Sequence, residues 1–452
     1  MVALVFCAAG FLATYLAGRR SLLAGIVALV VVGYFFGIVR ANVPNTISYF
    51  MFDAAVLAFF ITQLLRPMPP EERDRVRSLT HWVALLAFWP VFLLLVPAQD
   101  PMVQLVGLRA HVLLLPFLVF GARLGNAEMD RLALWLAGLN LVALGFAAAE
   151  FVFGLERFYP RNPVTELIYR SNDIQTTGDL LGAFRIPAIF PNASAYGATM
   201  AITLPLLLGA WVQKGGSPLR RWLLSTGMVA SVLGVFLAAS RTHILILLVL
   251  LGISLLSGKM GAIGRVVWVV MLGGLGWVVA SNERLFQRLM TIGPEAIFNR
   301  IYVSVNESFV DRALSYPMGN GLGGGGTSMP YFLQHLIRDP IGIENQYATF
   351  VLELGLPGLF FWVCFIVWVF TRRTTVPTDR WAFGRRLAWW ACAGYFAQGL
   401  IGIGFLTSVP FTLIFLLSTG WISVRQAPGT VEEPAAPPGP AAGSGALVRA
   451  HA

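Results

Sequence analysis

The sequence predicts an all-α polytopic integral membrane protein of about 12–13 transmembrane helices, with a large extracytoplasmic loop before the eleventh span. Three observations predict it. Of the 452 residues, 57% are hydrophobic and only 12% are charged, too few charges to clothe a water-soluble globule. Apolar runs of about 20 residues, the length that crosses a bilayer's hydrocarbon core, recur along the whole chain. The short connections between them alternate between arginine-rich and arginine-poor.

Taken in order, the runs lie near 2–18, 21–39, 49–65, 82–97, 103–121, 132–152, 194–212, 222–239, 242–257, 265–281, 347–370, 387–403 and 408–424. The first lacks a preceding cationic segment and a cleavage-like site, so it reads as a retained helix and not a signal peptide. Placing alternate connections in the cytoplasm collects Arg19 and Arg20; Arg66, Arg73, Arg75 and Arg77; Arg123 and Arg131; Lys214, Arg220 and Arg221; Lys259 and Arg265; and Arg372, Arg373, Arg380, Arg385 and Arg386. The positive-inside rule then puts the N-terminus outside and the C-terminus inside. The net charge of +10 is explained by this topology, because the cations flank spans and form no continuous patch for nucleic acid.

Residues 1–425 read as one transmembrane domain with two outward segments too long to be turns, about 153–193 and 282–346. The second opens with amphipathic spacing suited to helices lying on a membrane surface, and a glycine run at 319–326 then reads as a flexible loop. From 426 to 452 the proline-, alanine- and glycine-rich composition predicts a disordered cytoplasmic tail. Cys7, Cys364 and Cys392 all fall in predicted spans, which supports neither a disulfide framework nor a thiolate metal site. His111 and His243 have no partner at ligand spacing, so no metal site is expected.

Candidate chemistry concentrates where the outward loops meet the spans. Arg241, in Ser240-Arg241-Thr242-His243, is open to two readings: an anion ligand whose guanidinium fork matches phosphate oxygens, or the punctuation of a helical hairpin. Arg109 poses the same question, with snorkelling to the headgroups the favoured reading. Arg300 precedes a helix leading through Asp311 and Arg312 to the glycine run. The strongest local signal is the stretch IENQYATFVLELGLPGL at 343–359, where Glu344 and Asn345 stand at the mouth of a long span. Glu344 can act as a general base; its plainer role is a favourable charge at a helix N-terminus. Glu353, two turns inside, is a partner for an arginine such as Arg241 or Arg109.

Over roughly residues 100–425 these features resemble the O-antigen ligase and Wzy-type O-antigen polymerase superfamily. FRIPAIFPNASAYGATM looks like that family's arginine-to-Pro-Asn stretch, LAASRTHILILLV like its Ser-Arg hairpin, and the long loop leading into ENQYATFVLELGLPGL like its loop and returning span. Ligases place a histidine before an Asn, Ser or Gln, then nine residues, then Gly-x-x-Gly. Here Asn345, Gly355 and Gly358 keep the spacing, but Glu344 stands at the histidine position, which looks more like the polymerase branch.

The resemblance implies a cofactor- and metal-independent glycosyltransferase. It would polymerise undecaprenyl-pyrophosphate-linked repeat units at the periplasmic face of the inner membrane. Glu344, Arg241 and Arg300 would be the catalytic residues, and Arg185, Asn345, Arg312 and Arg109 the substrate-binding ones. A flippase and a chain-length regulator are the implied partners besides membrane lipids. Two alternatives stand beside it: a ligase that transfers finished glycan to lipid A core or protein, and a flippase or transporter of lipid-linked sugars, which would need a polar path through the midplane.

Overall fold

The computed structural model describes residues 1–166, 168–169, 185–213, 217–257, 273, 276, 295, 298–299, 302–326, 329–341, 345–372 and 380–424. Among these there is no strand; the chain is a helical bundle. Among the described residues, eight helical stretches are long and apolar enough to cross a membrane: Val2–Arg20, Leu22–Asn42, Thr46–Leu64, Pro70–Leu93, Pro101–Arg123, Asn126–Phe153, Ala193–Val212 and Gln346–Thr371. Shorter apolar helices, Arg241–Leu256 and Phe411–Ile422, join them. Most of the span predicted at 265–281, most of the opening of the second long loop, and the tail from 426 lie outside the described residues.

The elements are α1 (Val2–Arg20), α2 (Leu22–Asn42), α3 (Met51–Leu64), α4 (Pro70–Leu93), α5 (Pro101–Val112), α6 (Phe117–Arg123), α7 (Asn126–Phe153), α8 (Ala193–Val212), α9 (Pro218–Leu237), α10 (Arg241–Leu256), α11 (Asp311–Ser315), α12 (Gln346–Thr371), α13 (Ala382–Gln398) and α14 (Phe411–Ile422). Local chemistry sets many of the starts. Ser21, Asn192 and Ser217 accept backbone N–H groups of the first turns of α2, α8 and α9, and proline occupies the first turn of α4, α5 and α9.

The helices differ widely in depth. In α8, 89% of the apolar window is buried, against 22% in α1, so α8 runs through the middle of the protein and α1 along its lipid-facing edge. A polar network made within the core fixes α8 against its neighbours. Tyr34 on α2 donates to Asn140 on α7 at 2.7 Å, and the Asn140 amide donates to Thr203 on α8 and Ser231 on α9 at 2.9 and 2.8 Å. Every helix in that contact is thereby keyed to the others, at a depth where an unpaired amide would be costly.

Two predicted spans are broken. The run at 103–121 divides into α5 and α6 at Pro116, with turns at 113–116. In α12 the backbone leaves the helix at Gly355 (φ 70°, ψ 178°), just before Pro357. The freed groups find partners at once: Leu356 N–H donates to Pro317 at 2.9 Å, and Trp89 of α4 donates its indole N–H to Leu354 at 2.7 Å. Non-helical backbone is thus confined to a place where protein, and not lipid, satisfies it.

The loop ends of the helices differ in character. At one end, here the basic end, lie Arg19, Arg20, Arg73, Arg75, Arg77, Arg123, Arg131, Arg220, Arg221, Arg385 and Arg386. The opposite, loop end gathers 43–50, 94–100, 154–166, 185–192, 238–240, 311–326, 329–341, Asn345 and 399–410. The glycine run sits at the loop end, and its expected looseness gives way to packing. Leu322 is fully buried, Gly325 N–H donates to Glu353 at 3.2 Å, and Gln99 donates to Asn320 and Arg338 carbonyls while accepting Arg338 N–H.

Candidate functional site

Ionic pairing separates the arginines. Arg109 forms a bidentate pair with Asp53, both contacts at 2.6 Å; Arg123 pairs with Glu72; and Arg220 reaches Asp130 at 2.6 Å. Arg109 is therefore held by a carboxylate from α3. Arg185 and Arg241 have no carboxylate partner among the described residues, and they lie within each other's field. Burial, and then the charge of Arg241, push the Arg185 guanidinium below the usual arginine range. Two cations held together in this way repel, and a polyvalent anion between them would remove the penalty.

The framework around the pair is well defined. Residues 185–192 form a buried strap between the helices at the loop end, with Ile186, Ala188, Ile189 and Phe190 all within about 1% of full burial. Its N–H and C=O groups are claimed from several sides: Ile186 N–H by Leu237 of α9, Ala188 N–H by Glu150 of α7 at 3.1 Å, and Ile189 C=O by Ile38 of α2 at 3.1 Å. Tyr159 shares its hydroxyl hydrogen between the carbonyls of Ala188 and Phe190, each at 2.7 Å. Burial pushes the Tyr159 hydroxyl well above the ordinary tyrosine range, so it stays a donor. The strap passes α2 so closely that a Cβ on Gly37 would lie 2.1 Å from the Phe190 carbonyl carbon.

Arg241 opens α10 on the other side. Ala239, before it, takes a left-handed conformation (φ 48°), and Ser240 hydrogen-bonds His243 at 2.6 Å. His243 is fully enclosed and also feels the Arg185 charge. The hairpin between α9 and α10 and the strap thus bring Arg185, Arg241 and His243 to one place, although 56 residues separate the arginines in the chain.

The remaining sequence candidates fall elsewhere. Asn345 is fully buried and caps α12: its side-chain oxygen accepts from Tyr347 and Ala348, and its amide donates to Leu400 at 2.8 Å. Arg312 is half-buried on α11. Glu344 and Arg300 lie outside the described residues. Glu353 pairs with His111 at 2.7 Å and not with Arg241 or Arg109, because the break at Gly355 and the tucked glycine run bring α5 against it.

Four residues of the loop end were missed in the sequence. Arg40 has a buried Nε without a partner and lies 4.6 Å over the Tyr49 ring. Asp53 neutralises Arg109, while Glu150 and Tyr159 hold the strap. A lone acid inside an apolar run was the available signal for Asp53 and Glu150; nothing local marks Tyr159. Among the described residues, no group of three or more His, Cys, Asp or Glu could hold a metal ion.

No known family, curated protein or solved structure matches the chain. Its helices define it as an α-helical polytopic membrane protein.

Proposed function

We propose that the chain is a polysaccharide polymerase, a glycosyltransferase that joins undecaprenyl-pyrophosphate-linked repeat units at the periplasmic side of a bacterial inner membrane. The observation that carries this reading is the Arg185–Arg241 pair at the loop end, Arg185 half-buried and Arg241 exposed at its side, each without a carboxylate partner among the described residues and with the charge of Arg241 acting on Arg185. A lipid pyrophosphate presents such a site with two phosphates at headgroup depth.

In the reaction, a hydroxyl of the acceptor sugar attacks the anomeric carbon of the donor glycan. The bond from that carbon to the pyrophosphate oxygen breaks, and the lipid pyrophosphate leaves with the bonding electrons. Arg185 and Arg241, with Arg300, stabilise the charge growing on that oxygen. Glu344 takes the acceptor's proton. Arg109 is not assigned to the anion, since Asp53 already neutralises it. Asn345 and Arg312 serve at the acceptor side, Asn345 by fixing the start of α12.

The test is transfer between purified lipid-linked repeat units by the purified protein in vesicles carrying no ion gradient. Lengthening of the lipid-linked glycan is expected. Movement of substrate across the bilayer without any new glycosidic bond would overturn the reading in favour of transport. In a deletion strain, single-unit glycans are expected; long chains stranded on the carrier lipid would point to a ligase instead.

A further inference from the structure

Glu150 belongs to none of the chemistry above, yet it is a carboxylate fully buried in the last turn of α7. A carboxylate among apolar helices is costly, and such groups usually face a partner that explains them. Among the described residues its side chain makes one hydrogen bond, accepting Ala188 N–H through Oε2; Oε1 and the nearby Tyr196 hydroxyl are both buried without partners. The carboxylate is therefore committed to the strap alone.

What it holds is a backbone that would not choose that shape. Ala188 is left-handed (φ 53°), a conformation that side-chain-bearing residues adopt only where the surroundings over-determine it. Glu150 takes the Ala188 N–H, and Tyr159 takes its C=O from the opposite side. Three residues upstream, the same rigid strap delivers Arg185, whose Nε reaches back to Ala238 at 3.5 Å, the residue two before Ser240 and three before Arg241.

We propose that Glu150 is a positioning residue for the anion site: by clamping Ala188 it sets Arg185 against Arg241, so that both guanidinium groups meet one pyrophosphate. This rests on the reading of the site as a lipid-pyrophosphate site. Glu150 touches no substrate and acts through Arg185 alone.

The experiment is binding of undecaprenyl pyrophosphate to the full chain in lipid nanodiscs, as a double-mutant cycle between Glu150 and Arg185. Glu150→Leu fills the site but loses the acceptor and should weaken binding about tenfold, as loss of one buried hydrogen bond would. Glu150→Gln keeps an oxygen for Ala188 N–H and should bind within about twofold of the parent. On an Arg185→Ala background, Glu150→Leu should add almost nothing, because the group it positions is gone. An unchanged affinity for Glu150→Leu, equal losses for Leu and Gln, or a full tenfold further loss on Arg185→Ala would each overturn the proposal while leaving the anion site intact. Parent-like binding by Arg185→Ala would overturn both. If Glu150→Leu fails to accumulate, Tyr159→Phe decides: it removes the other clamp without altering charge. A loss that vanishes on Arg185→Ala upholds positioning, and a loss that persists there, or no loss at all, overturns it.

Discussion

Arg123 and Arg220 at the basic end each meet a carboxylate, Glu72 and Asp130, whereas Arg185 and Arg241 at the loop end have no carboxylate partner among the described residues and the charge of one acts on the other. The two sets differ in depth as well, Arg241 being exposed and Arg185 half-buried. The Arg123 side chain is 6% exposed and still neutralised, so enclosure alone does not leave an arginine unpaired. Nor does location alone, since Arg109 shares the loop end and is matched by Asp53. Arg109, Arg123 and Arg220 each take a counter-charge from a neighbouring helix. Arg185 and Arg241 have none among the described residues, and in the proposed reaction the lipid pyrophosphate supplies it.

That contrast can be broken or sharpened by substitution. The largest effect is expected at Glu344, the proposed base: Glu344→Gln should lower turnover by about 10²–10⁴-fold while membrane abundance barely changes. The polymer-length ladder of a complemented deletion strain reads this directly, and a ladder of normal length would remove Glu344 from the reaction. Next come the unpaired arginines. Arg185→Ala and Arg241→Ala should each slow transfer by about ten- to a hundredfold, with lysine rescuing only in part because it lacks the fork. Parent-like initial rates for both alanine variants would dissolve the distinction drawn between the two ends.

At the paired end the expected signature is inverted. Glu72→Ala leaves the enclosed Arg123 without its carboxylate and should cost on the order of 3 kcal/mol of stability, read as a lower unfolding midpoint in detergent. Activity per folded molecule should stay close to the parent's, and a selective loss of turnover would contradict a structural role. Smallest is Asn345→Ala, which frees two backbone N–H groups at the start of α12. It should lower stability by about 1–2 kcal/mol, with only a mild loss of transfer rate.

The helices were legible because membrane spans are written locally, as apolar runs between arginines. Their breaks were less so. Pro116 and Gly355 are visible as letters, but whether a proline or glycine breaks a span depends on what stands ready to satisfy the freed backbone, here Pro317 and Trp89. Composition misled at the glycine run, since eight residues rich in glycine suggest looseness until α5 and Glu353 are packed against them. At the site, the two arginine motifs were readable, and their meeting was not. Counter-ions come from far along the chain: Asp53 lies 56 residues from Arg109, and His111 lies 242 from Glu353. Such pairings are properties of the packed bundle, not of any window of sequence.

The helix α14 has a consequence for how such a bundle is made. All twelve of its residues are buried, and at 1.5 Å per residue it is about 18 Å long, well short of the roughly 30 Å hydrocarbon core. It lies against α6 at backbone distance: a Cβ on Gly420 would stand 1.8 Å from the Leu118 carbonyl oxygen, and one on Gly121 2.0 Å from that of Leu417. Yet α14 leaves the ribosome after every other described helix. The seam between α6 and α8 must therefore stay open during synthesis, waiting in the bilayer with a glycine-lined slot. The short helix closes it like a keystone set after the arch, so a chain halted before Phe411 would carry every motif discussed above around an unfilled centre.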